Sequence, residues 1–288
     1  MALPELTKRI LTGLVLAPLT IVAVYFGGVV LALYLSLGAG IAAWEFYRMA
    51  KAGGGHPLAV VGVPLTAWVP FATFLHSEGI LYAPVSGVTV GALLLLTIAM
   101  FRRSLEQRPL NAAALTLFGV FYCGATLAFG YAIRYYPYAQ GAVAGTALVI
   151  LPVWLVWSTD TGAYIAGRVI GGPKLARNIS PNKTISGAVG GMLVAGVMAW
   201  LYLQYVLRPA AQLTMTPSGT MLFAVCVSVA AQLGDLAESL IKREVGVKDA
   251  SQILPGHGGV LDRLDSIIFA LPVAYLLLPG LLKPAPLP

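Results

Sequence analysis

Seven of the eleven acidic residues fall between positions 158 and 265: Asp160, Asp235, Glu238, Glu244, Asp249, Asp262 and Asp265. Several sit where apolar runs end, a depth at which a carboxylate without a partner is costly and a partnered one is often functional. The densest stretch begins Gly234-Asp235-Leu-Ala-Glu238-Ser239-Leu-Ile-Lys242-Arg243 and continues through Lys248-Asp249. It ends Pro255-Gly-His257-Gly258-Gly259-Val-Leu-Asp262-Arg263-Leu-Asp265. Spacings of three and four place Asp235, Glu238 and Lys242 on one helix face. Asp262 and Asp265, also three apart, open the next apolar run. The two carboxylate pairs bound one 31-residue segment and can converge if it folds back. Hard oxygen donors of this kind suit Mg²⁺, which takes one or two carboxylates and completes its shell with water and substrate phosphate. The glycine-rich turn has little side-chain bulk, so its backbone can approach a ligand closely. A salt-bridged helix pair at the surface is the plainer use of the same charges.

A second polar segment lies upstream. It reads Ser158-Thr-Asp160-Thr-Gly-Ala-Tyr164, then Arg168, Gly171, Gly172, Lys174 and Arg177, then Ser180-Pro-Asn-Lys183-Thr184. Gly171-Gly172-Pro173 predicts the end of a helix. The hydroxyls and amines beyond it have few nearby acids and could serve a polyphosphate, with lysine as a point charge. A basic loop that serves only membrane topology would look the same. His257 is the only histidine in either segment, and a lone histidine is more often a hydrogen-bonding or packing residue than a catalyst. The sequence has no metalloprotease-type histidine cluster and no G-x-x-x-x-G-K-[ST] loop.

The elements that must position these residues follow from composition. Of 288 residues, 58% are hydrophobic and only 10% charged, with a mean hydropathy of +0.84. Soluble domains carry about 25% charge, so a soluble enzyme, a secreted domain and a disordered chain are excluded. The expected fold class is all-α: a polytopic integral membrane helical bundle. Apolar runs predict about nine transmembrane helices, roughly Ile10–Phe26, Gly28–Trp44, Leu58–Leu75, Ile80–Phe101, Ala112–Ile133, Gly141–Trp157, Gly187–Leu207, Pro217–Gly234 and Ser266–Leu282. The first two are divided only by Gly27 and Gly28. Their combined run is too long for a signal peptide. No strand pattern or internal repeat is expected.

Basic residues test the count. With a cytoplasmic N-terminus, fifteen of the eighteen, from Lys8 and Arg9 to Arg263, fall on the inner side. Only Arg134, Arg208 and Lys283 fall on the other. That asymmetry is what the positive-inside rule requires. It accounts for the net charge of +7 without nucleic acid, and it favours anionic headgroups. The organisation expected is an N-terminal scaffold, 1–140, and a C-terminal catalytic region, 141–288, with cytoplasmic loops 158–186 and 235–265. Gly187, Gly191, Ala195 and Ala199 form a small-residue stripe for helix packing. Tyr135, Tyr136 and Tyr138 predict an interfacial aromatic belt. Cys123 and Cys226 lie in apolar runs and are expected to act as small buried hydrophobes.

Residues 239–265 resemble the signature of the phosphatidate cytidylyltransferases, or CDP-diacylglycerol synthases. That signature joins Ser-x-x-Lys-Arg to Lys-Asp and then to His-Gly-Gly-x-x-Asp-Arg-x-Asp. Its positions here are Ser239, Lys242, Arg243, Lys248, Asp249, His257, Gly258, Gly259, Asp262, Arg263 and Asp265. Asp160-x-x-Ala-Tyr164 and Ser180-Pro-x-Lys183-Thr184 also resemble family features, although Ser186 stands where family members often carry Glu. The first 150 residues resemble the family only in being apolar spans.

The resemblance implies transfer of CMP from CTP to phosphatidate, giving CDP-diacylglycerol and pyrophosphate. It implies Mg²⁺ on Asp235 and Asp262, with Asp265 and Asp249 as further candidates. Ser180, Lys183 and Thr184 would hold CTP phosphates, and Asp160 joins the substrate-binding set. Lys242, Arg243 and Arg263 would hold either anion or orient the acids, with Lys248, Gly258 and Gly259 beside them and His257 positioning substrate. Expected partners are CTP, phosphatidate and membrane lipid, with a homodimer allowed and no nucleic acid. The expected location is a bacterial cytoplasmic membrane with the site facing the cytoplasm. The alternatives are a related CTP-dependent lipid transferase or kinase, or a secondary transporter; transporters usually carry internal repeats and mid-span acids.

Overall fold

The computed structural model describes residues 5–82 and 85–285. Lys8 and Arg9, two of the basic residues counted above, have side chains outside this description. The helices are α1 (Glu5–Phe26), α2 (Gly28–Ala52), α3 (Ala59–Ser77), α4 (Val85–Arg102), α5 (Leu105–Arg134), α6 (Gly141–Val169), α7 (Ile185–Ala211), α8 (Pro217–Glu244) and α9 (Leu261–Leu281). Among the described residues, seven helices are long and apolar enough to cross a membrane, and Thr12–Phe26 and Gly87–Arg102 are shorter apolar stretches. Large apolar side chains face outward along them, including Leu37, Leu93, Leu193 and Trp200. A polar solvent would penalise that surface, whereas lipid does not. The protein is an all-α polytopic membrane protein.

Glycine conformation sets several boundaries. Gly27 and Gly28, at φ +62° and +48°, separate α1 from α2. Gly171 and Gly172, at φ +65° and +102°, follow the end of α6. Two expectations need correction. The 158–186 loop begins as helix, because α6 continues twelve residues past Trp157 to Val169. Short strands also occur where none was expected: β1 (Lys174–Ala176) pairs antiparallel with β2 (Ser180–Thr184), and β3 (Leu213–Thr214) with β4 (Lys283–Pro284).

The chain forms two compact units, Met1–Tyr131 with Ile241–Leu264, and Ala132–Leu240 with Asp265–Pro288. In the first, α2 supplies the core through Leu31, Ala39, Ala43, Phe46 and Tyr47. The Tyr47 ring fills the space a Cβ would take at Gly62 of α3 and Gly119 of α5, and its hydroxyl donates to the Thr116 carbonyl at 2.7 Å. Cys123 is fully buried nearby in a π turn of α5. In the second unit, the small stripe packs α7 on α6. Added Cβ atoms at Gly187 and Gly191 would lie 2.8 Å from the Ala163 and Thr159 carbonyls. Thr159 donates to Ser228 at 3.0 Å, which ties α6 to α8. Cys226 of α8 is half-buried.

Candidate active site

In the first unit, α8 ends at Glu244, and the chain turns at Gly246 (φ +73°) as Val247 N–H donates back to the Lys242 carbonyl at 2.9 Å. Residues 245–260 then form a strap leading to the first turn of α9. Its tip is a tight turn in which His257 N–H donates to the Leu254 carbonyl and Leu254 N–H to the Gly258 carbonyl, each at 2.9 Å. Gly256 and Gly258 have φ values of +75° and +79°, a left-handed region that costs other L-residues about 1–2 kcal/mol.

Asp262 ties this strap together. Its Oδ1 accepts from Lys242 Nζ at 2.8 Å, and its Oδ2 accepts from the backbone N–H groups of Ala250 at 3.0 Å and Gly259 at 2.7 Å. The side chains of Lys242 and Asp262 are only 15% and 7% exposed, so the pair is shielded from bulk water. An added Cβ at Gly258 would lie 2.9 Å from Asp262 Oδ2, so glycine is required for space as well as for φ. Arg263 Nε donates to the His257 carbonyl at 3.1 Å. His257 Nδ1 is buried and accepts or donates no hydrogen bond among the described residues. Arg243, Lys248 and Asp249 are exposed, and Lys248 and Asp249 line an open depression with Arg48, Ser251 and Gln252.

Sequence reasoning missed the anchor beneath this strap. Glu45 of α2 is wholly buried, and its carboxylate accepts from Ser251 Oγ, from Val260 N–H at 3.0 Å and from Leu261 N–H at 2.6 Å. It therefore satisfies N–H groups at the start of α9, where helix geometry leaves donors unpaired and the dipole favours a negative charge. One turn along α2, Arg48 Nη2 donates to the Ala250 carbonyl at 2.5 Å. The one available signal was an acid within an apolar run, Trp44-Glu45-Phe46.

The second unit holds the other predicted residues. Lys183 of β2 lies 2.5 Å from Asp235 Oδ2, and Ser239 Oγ donates to Asp235 Oδ1 at 3.3 Å. Both partners of that ion pair keep exposure, 26% for Lys183 and 33% for Asp235. Thr184 caps α7 by accepting from Gly187 N–H at 3.1 Å. Ser186 Oγ donates to the Gly171 carbonyl, so it fixes the hairpin to the turn that ends α6. Ser180 pairs with Ala176 across the strands. Asp160 is exposed on α6, Asp265 Oδ1 accepts from Ser266 N–H at 2.6 Å, and Glu238 is wholly buried on α8.

The site residues thus form two lysine–aspartate pairs, one in each unit. A lysine held on a carboxylate stays local and charged without substrate, and it can be exchanged onto a phosphate. Among the described residues, no three or more His, Cys, Asp or Glu side chains cluster as a metal cage.

Comparison with known proteins extends the match beyond these motifs. The sequence profile described as "Cytidylyltransferase family" matches residues 7–280. The chain belongs to this family. Its similarity to individual family members is also nearly full-length. The phosphatidate cytidylyltransferase of Bacillus subtilis (strain 168) is 32% identical over 283 residues, covering 95% of this chain and 98% of that protein. The protein of that name from Brucella suis is 34% identical over 275 residues, covering 94% and 93%. The one from Haemophilus influenzae is 31% identical over 280 residues, covering 93% and 96%. Family membership therefore includes the first 150 residues, where the motifs gave no guide and where Glu45 and Arg48 lie.

Proposed function

We propose that this protein is a phosphatidate cytidylyltransferase. The observation that carries the reading is the near full-length similarity to proteins of that name, in a membrane chain where Asp235 and the signature residue Asp262 are each held by a lysine. A phosphate oxygen of phosphatidate attacks the α-phosphorus of CTP. One P–O bond forms, the bond to the bridging oxygen of the β-phosphate breaks, and pyrophosphate leaves with that electron pair. The nucleophile is already an anion, so no activated Ser or Cys is needed. The obstacle is repulsion between two anions, and catalysis rests on positioning and charge neutralisation.

In this reading Ser180, Lys183 and Thr184 hold CTP phosphates, and Lys242, Arg243 and Arg263 neutralise the reacting anions. Asp235 and Asp262 are the proposed Mg²⁺ ligands, with Asp265 and Asp249 as further candidates. When bound, the ion supplies Lewis-acid stabilisation of charge on triphosphate oxygens and on departing pyrophosphate. Glu45 and the backbone of Ala250 and Gly259 act on Asp262 by position, since they fix the first turn of α9. Asp160, Lys248 and His257 are proposed to contact substrate, with Gly258 and Gly259 allowing close approach.

We also propose nine spans with a cytoplasmic N-terminus, a bacterial cytoplasmic-membrane location and a site at its inner face. The fifteen-to-three distribution of basic residues supports this orientation, as does the need to reach cytoplasmic CTP while phosphatidate stays in the leaflet. The test uses purified protein in mixed micelles with CTP and phosphatidate. Pyrophosphate release should require both substrates, stop on chelation and return with Mg²⁺. Release that is indifferent to chelation contradicts the metal assignment, and no release with Mg²⁺ present contradicts the function.

A further inference from the structure

A second cationic site lies in the first unit, where α2 ends, α3 begins and α4 passes into α5. Trp44, Arg48, Lys51, His56, Val60 and Arg103 are among the residues lining a cavity of about 440 Å³. Arg48, Lys51 and Arg103 are its basic lining residues, and among the described residues no acidic side chain lines it. Glu106, in the adjoining turn, is outside the lining, and Glu45 is committed to Ser251, Val260 and Leu261. Like charges gathered without a counter-charge repel one another, and a bound anion relieves that repulsion.

The cations are oriented rather than trailing. Arg103 donates from Nε to the His56 carbonyl at 3.1 Å and from Nη2 to the Pro57 carbonyl at 3.0 Å. Arg48 lies over the Trp44 ring at 5.0 Å while it also donates to the Ala250 carbonyl. Lys51, in the last turn of α2, is exposed and adds a mobile point charge. Depth is set by the helix ends, where apolar spans give way to polar connections. On the outward side, Val60 is 90% exposed and Trp44 42% exposed, which offers an apolar wall beside the cations. Basic pockets bounded by apolar helix surface at this depth match a phosphate headgroup whose acyl chains remain in the bilayer.

We infer that this cavity is a second anion site that binds the phosphate of an anionic phospholipid headgroup. The site is separate from the Asp262 strap except through Arg48, and it stands whether or not the proposed reaction is correct. Free phosphate shares the headgroup's chemistry, so the experiment must separate the two.

Purified protein in neutral-detergent micelles is titrated with phosphatidylglycerol, with diacylglycerol or with inorganic phosphate, and apparent affinity is read from the rise in unfolding temperature. Phosphatidylglycerol should give a saturable rise. Lys51→Gln should weaken that affinity about fivefold, as should Arg103→Gln. Lys51→Gln alters an exposed side chain, so it carries the test if Arg103→Gln fails to fold. A rise with inorganic phosphate that is equally sensitive to Lys51→Gln supports the anion site and assigns it to free phosphate. An equal rise with diacylglycerol, or a phosphatidylglycerol response unchanged in Lys51→Gln, overturns the inference.

Discussion

Replacing Glu45 by Gln tests whether α2 holds the strap. The change is isosteric, so it leaves no cavity, but it converts one acceptor oxygen into an NH₂ group that faces donors. The carboxylate accepts from Ser251 Oγ and from the N–H groups of Val260 and Leu261, and Glu45 is wholly buried. A hydrogen bond to a charged group contributes about 1.5–3 kcal/mol net. The start of α9 also loses a favourable dipole contact of about 0.3–1 kcal/mol. Loss of one bond and the charge therefore amounts to about 2–4 kcal/mol against the closed strap. The direct assay is amide hydrogen exchange in detergent. If local opening governs exchange, Val260 and Leu261 should exchange roughly 30- to 900-fold faster. Amides along the α6–α7 seam, in the other unit, should be unchanged and report that the variant is folded. Turnover should fall with the loss of Asp262 order. Unchanged exchange at both residues would refute the claim that Glu45 anchors this turn.

Four further substitutions separate roles within the site. Asp262→Asn should remove Mg²⁺-dependent turnover while the protein stays folded in detergent, and near-normal activity would reject the ligand assignment. Lys183→Ala, which removes the partner 2.5 Å from Asp235, should raise the apparent CTP requirement more than the phosphatidate requirement; equal effects would indicate a structural role. Gly258→Ala and Gly246→Ala impose the same left-handed penalty, about 1–2 kcal/mol, at φ +79° and +73°. Only the former places a methyl 2.9 Å from Asp262 Oδ2, so it alone should cut turnover sharply.

Apolar length made the spans legible, because lipid permits only helices with internally satisfied backbones. Each expected apolar run overlaps a helix among the described residues, and the doubtful division at Gly27–Gly28 is a real break between helices. Polarity misled where it was taken as a stop. α6 runs on to Val169, since Asp160 ends the apolar run without ending the helix, whereas the run of α8 to Glu244 agrees with the shared helix face of Asp235, Glu238 and Lys242. The backbone ends only where Gly171-Gly172-Pro173 or Gly246 permits a turn. The β1–β2 hairpin had no alternating pattern to reveal it, because exposed and sheltered residues do not alternate along its two short strands. Asp235, Asp262 and their lysines were visible because their residue types are rare in such a chain. Glu45 was not, since its partners lie more than 200 positions away. Its role depends on tertiary contact that no local pattern encodes.

The central claim is that cytidylyl, rather than phosphoryl, passes from CTP to the lipid. Purified protein should be incubated in lipid micelles with Mg²⁺, phosphatidate and CTP labelled at either the α- or the γ-phosphate. Label from the α-position should appear in the lipid phase, while γ-label should remain in water as pyrophosphate. Transfer of γ-label to lipid, or no lipid labelling from either position, would contradict the account.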